Sequence, residues 1–104
     1  AFLEFARGMA VRIVEEIPGE AAASREARIR RAFEHALARP PSATELDVLT
    51  KYGQDLAADF TNAPEDAQAL LDKYPIRGLP EHEAAALVTV ARVIFNTDNF
   101  ITRE

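Results

Sequence analysis

From Ala84 to Phe95 nearly every residue is apolar, with Arg92 set among Val88, Val90, Val93 and Ile94. A segment so uniformly apolar must be surrounded on most of its sides, so the rest of the chain has to be arranged around it. Pro80, followed by Glu81 and Glu83, reads as a helix start with carboxylates in the positively polarised first turn. A buried strand would look similar locally, but the chain offers no second alternating run to pair with it. The segment is therefore read as the central helix of an all-α protein, spanning 81–96 and ended by Asn96.

The remaining elements are helices that can cover it. Phe2, Phe5, Met9, Ile13 and Ile17 recur at helical spacing before Pro18-Gly19, predicting a helix over 2–17. Ser24 is a candidate N-cap for a helix over 25–38, with Ile29, Phe33 and Leu37 as its buried stripe and Pro40-Pro41 as its stop. Ser42 and Glu45 fit a capping box that opens a helix over 43–60, whose apolar face runs Leu46, Leu49, Gly53, Leu56 and Phe60. Pro64 starts a shorter, polar helix over 64–74, anchored by Ala67, Leu70, Leu71 and Tyr74. At 104 residues and 48 % apolar content, the chain is read as one domain over 1–104, a compact bundle of about five helices. Its core is expected to hold Ile29, Phe33, Leu37, Leu46, Leu49, Leu56, Leu87, Ala91 and Ile94.

Composition narrows the chemistry. Seventeen acidic against twelve basic residues give a net charge of −5, which disfavours approach to nucleic acid. With no cysteine there is no disulfide framework, thiolate metal site or cysteine nucleophile, and no covalent haem attachment. The apolar run is too short to span a bilayer. The first residues lack the basic start and cleavage pattern of a signal peptide. Because the chain opens without methionine and already inside a helical pattern, it is expected to be a fragment of a larger protein.

No reactive constellation is visible. His35 and His82 match no helical zinc spacing and are read as surface residues. Ser24 and Ser42 sit at helix starts, where a hydroxyl caps an amide. The four glycines are scattered and form no phosphate-cradling loop. Arg28, Arg30, Arg31 and Arg39 are candidates for anion binding, although the interleaved Glu20, Glu26 and Glu34 fit a solvated face with internal ion pairs better. Arg92, set among valines, is expected to be buried and to need a carboxylate, with Asp98, Glu45 and Glu34 as candidates. Cofactors and metals are not expected.

Two stretches carry a resemblance. One is Arg28-Ile29-Arg30-Arg31-Ala32-Phe33 together with Arg39-Pro40-Pro41-Ser42-Ala43-Thr44-Glu45-Leu46; the other is Ala91-Arg92-Val93-Ile94-Phe95-Asn96-Thr97-Asp98-Asn99-Phe100 and the Ile101-Thr102-Arg103-Glu104 that follows. They resemble the C-terminal region of the planctomycete-associated domain of unknown function fifteen fifty-three. The chain departs from that pattern at Leu87, where the family usually has tryptophan, and at Thr97-Asp98-Asn99, where it often has leucine-aspartate-glutamate. The resemblance implies a module of large multidomain bacterial proteins that often carry cytochrome c-type domains. It also implies a periplasmic or cell-envelope setting, and it brings no established catalytic residues.

The expected function is accordingly non-catalytic: packing against other domains of the same protein, or contact with an envelope protein or polysaccharide. The 2–17 helix carries more apolar residues than one face needs, adding Leu3, Val11 and Val14 to its stripe, which suits a helix covered by a partner. Two rivals stand beside this reading. One makes the chain an accessory wall of a polysaccharide-processing enzyme site; the other makes it an anionic-glycan-binding module built on the arginines.

Overall fold

A computed structural model describes residues 2–72 and 75–101, with side chains described for 4–72 and 75–96. Five helices follow one another: α1 (Phe2–Glu16), α2 (Ala21–Leu37), α3 (Ala43–Asn62), α4 (Pro64–Leu71) and α5 (Glu81–Ile101). Among the described residues there is no strand. The all-α bundle expected from periodicity is the observed fold.

The apolar run does become the spindle, since α1, α2, α3 and α4 all pack against α5. Its residues 84–88, together with Val90, Ala91 and Ile94, are buried. Two clusters meet along it. Ala6, Ala10 and Val14 of α1 join Ala67 and Leu71 of α4, and Ala84, Ala85, Val88 and Ala91 of α5. So many alanines let helix axes approach to the short end of the usual range, about 8 Å. Ile76 from the α4–α5 loop plugs the same cluster. On the other side, Ile13, Ile29, Ala32, Phe33 and Leu46 close on Val90 and Ile94.

Gly53 belongs where α2, α3 and α5 converge. A Cβ there would lie 3.3 Å from Ile29 Cδ1 and 3.4 Å from Val90 Cγ2, so the missing side chain lets both neighbours seat against α3. Of the expected core, Ile29, Phe33, Leu46, Leu87, Ala91 and Ile94 are buried. Leu37, Leu49 and Leu56 flank the second cluster half-buried.

The element boundaries correct three expectations. Ser24 lies inside α2, because Glu20 caps it a turn earlier and accepts a hydrogen bond from the Ala22 amide at 3.0 Å. Asn96 does not end α5, which runs on to Ile101; the residues after it include no glycine or proline, and asparagine costs a helix only a few tenths of a kcal/mol. The helix over 64–74 stops at Leu71, where Asp72 adopts the left-handed conformation at φ 52°. Its expected anchor Tyr74 lies outside the described residues.

Candidate functional site

The expected capping box is present. Glu45 donates its amide to Ser42 Oγ at 3.1 Å, and its carboxylate accepts the Ser42 amide at 2.8 Å. The same carboxylate takes both terminal nitrogens of Arg39 at 3.0 Å each, and the Arg39 guanidinium rests 4.8 Å above the Phe33 ring. Arg39 and the Ser42 amide together hold the Glu45 carboxyl down at about 2. One residue thus caps α3 and ties it to the end of α2.

The other arginines of the α2 run are dispersed among internal partners. Arg30 faces Glu26 at 3.5 Å on the open surface. Arg31 meets Glu16 at 3.3 Å and Glu34 at 3.5 Å. Glu16 also hydrogen-bonds His35 at 3.0 Å, and His35 followed by Arg31 keeps its carboxyl below the ordinary range. His82 lies 3.9 Å from Glu83. No group of three potential metal ligands occurs among the described residues.

Arg28 is the correction of most consequence. It is 2 % exposed, whereas the expectation placed it off the buried stripe. Its Nε donates to the Ile17 carbonyl at 3.0 Å and its Nη2 to the Gly19 carbonyl at 2.9 Å. The last turn of α1 contains no basic residue, and Arg28 supplies from α2 the cation that the negative end of the helix favours. Burial pulls its pKa down while nearby Glu83 pushes it up, and a guanidinium remains charged throughout. One turn earlier, Arg25 grips both oxygens of Glu83 on α5 at 2.6 and 2.7 Å. Sequence reading missed this cluster because it traced the α2 stripe through apolar residues only. Extended by its own spacing of four, that stripe passes through Arg25 to Ala21, and Arg28 lies beside it, four before the buried Ala32.

The cavity between these groups, lined by Arg25, Arg28, Gly53, Glu83 and Val90 among others, has a volume of about 20 Å³. That is room for one water molecule and not for a substrate. Arg92, expected to be the buried charge, is exposed, because it falls on the one side of α5 that faces solvent. Its burial among valines was a feature of sequence neighbours that point elsewhere around the helix. Glu45 and Glu34 are engaged by Arg39 and Arg31, and the side chain of Asp98 lies outside the described residues.

Part of the open surface is apolar. Phe5 is 71 % exposed and Val11 40 % exposed on the outer face of α1. Beside them runs an open groove of about 490 Å³ with Phe5, Met9 and Phe95 as its apolar walls and Glu4, Arg12 and His35 at its rim. Val48 and Tyr52 form a smaller exposed pair on α3. No helix is long and apolar enough to cross a membrane among the described residues. No family model, curated protein or solved structure matches the chain.

Proposed function

We propose that the chain is a non-catalytic docking module, the helical closing part of a multidomain bacterial cell-envelope protein, which works by presenting the outer face of α1 to another protein surface. The exposure of Phe5, 71 % on a helix whose opposite face is fully packed, carries this reading. An aromatic side chain left in water forgoes roughly 2 kcal/mol that a partner surface would recover, and exposed apolar patches rimmed by polar groups mark interaction sites. The envelope setting rests on the resemblance of the two motif stretches. Arg28, Arg30, Arg31 and Arg39 each have an internal partner, which gives the anionic-glycan reading little to stand on. The enzyme-wall reading has open surface grooves to draw on, such as the one between Glu26, Arg30, Glu34, Ser42 and Asp47, but there Arg30 already pairs with Glu26.

The absence of cysteine makes the test clean. Val11→Cys introduces the one thiol of these 104 residues on the proposed face, and its labelling rate, read on the peptide that carries it, is compared between the isolated chain at low concentration and the full-length parent protein. Strong slowing in the parent is expected. Equal rates in the two would show that α1 stays uncovered and would sink the docking reading.

A further inference from the structure

The residues on the outer face of α1 are arranged symmetrically in kind about Gly8. Phe5 and Val11, the exposed large apolar residues among those described on the helix, stand three positions before and after it. Glu4 and Arg12, of opposite charge, stand four before and after, and both are exposed. Offsets of three and four share one helix face, so all five residues belong to one strip. Gly8 marks its centre, and a Cβ built there meets nothing within 4 Å, leaving a shallow notch in the helix.

Such a strip is self-complementary. Turned end for end about a two-fold axis, a second α1 brings its Val11 to the level of Phe5 and its Arg12 to the level of Glu4, and the two notches coincide at the crossing. Every contact then occurs twice, as an isologous interface requires. A parallel pairing would instead set Glu4 against Glu4 and Arg12 against Arg12. From this geometry we infer that the partner of the α1 face is a second copy of this chain, docked antiparallel through Phe5, Val11, Glu4 and Arg12 across Gly8. The inference rests on the docking reading and names its partner. A helix of 15 residues is about 22 Å long, and one such face covers less than the roughly 800 Å² per partner of a standard interface. The dimer is accordingly a weak one that forms at micromolar concentrations and above.

Sedimentation equilibrium of the 104-residue chain, from low micromolar to near-millimolar, reads the association, and the melting temperature of each variant reads the fold. Wild type is expected to move from monomer to dimer. Glu4→Arg and Arg12→Glu each weaken dimerisation about tenfold, because each single change places like charges together at two symmetric sites. The double exchange restores it, since the pairs reform with reversed sign. Gly8→Leu leaves the monomer's melting temperature unchanged or raised, and blocks the dimer. A chain that stays monomeric throughout overturns the inference, as does a double exchange no tighter than the single ones. If the monomeric chain still shows Val11→Cys protected in the parent protein, self-pairing falls while the docking reading stands; if protection is missing as well, both fall.

Discussion

Arg28 is the one charged side chain buried among the described residues, and its partners are carbonyl oxygens, not carboxylates. A guanidinium can serve the Ile17 and Gly19 carbonyls together because its donors diverge in a rigid plane, which an ammonium cannot reproduce. Arg28→Met removes both bonds and leaves the end of α1 without its cation. A loss of roughly 3 kcal/mol is expected in urea unfolding, from two charge-assisted hydrogen bonds at the lower end of their range. Arg30→Met, on an exposed pair, should change stability by less than about 0.5 kcal/mol. If the two variants proved equally stable, Arg28 would not be joining α1 to α2. Nothing in the sequence announces this role, because backbone carbonyls have no letter of their own; the apolar stripe on either side is what sequence periodicity can see.

At the scale of elements, α3 is held at its start by a box and a clamp that share Glu45. Its ordinary value of 4.5 falls to about 2 in the folded chain, chiefly through Arg39 and then the Ser42 amide. A carboxylate depressed on folding contributes stability that is complete above its unfolded value and disappears as the pH drops through the folded one. Glu45→Gln keeps the cap geometry and loses the ion pair. Its melting temperature should lie below that of wild type near neutrality, with the difference closing between the ordinary 4.5 and about 2. A difference that persisted at the acid end would mean the clamp is not what Glu45 contributes. Where an element's limits follow from local chemistry, the sequence shows them: Ser42 with Glu45 opens α3, and Pro64 opens α4. Where tertiary packing or an unusual cap decides, it does not. Glu20 is not among the preferred cap residues, yet it starts α2 a turn before Ser24, and α5 passes Asn96 because nothing there forces a stop.

For the whole molecule, the arrangement around α5 was readable from one property, the length of its apolar run, since a helix greasy on all sides admits no place but the middle. The faces of α1 were readable only in part: Val11, one of the surplus apolar residues, is exposed, but Val14 is buried with Ala6 and Ala10, and Phe5 of the expected stripe turns outward because the alanines take the packed side. Cooperativity should follow from this architecture. Both clusters are completed by α5, through Ala84, Val88 and Ala91 in one and Val90 and Ile94 in the other. A chain cut after Pro80 keeps four helical segments and loses the surface on which all of them rest. It is expected to show residual helicity by circular dichroism but no sigmoidal melt and no slow-exchanging amides. A cooperative melt from that fragment would refute the spindle role.

The spindle also sets a timetable. A ribosome releases α1 to α4 first, at several residues per second, and each emerges before the helix that completes its cluster. Ala6 and Ala10, Ile29 and Phe33, and Ala67 and Leu71 all wait for partners encoded after Pro80. Until α5 clears the exit tunnel neither cluster of the nascent chain is complete. Its maturation is thus a single late event and not a stepwise one, and the interval before it is when holding chaperones would find the chain most receptive.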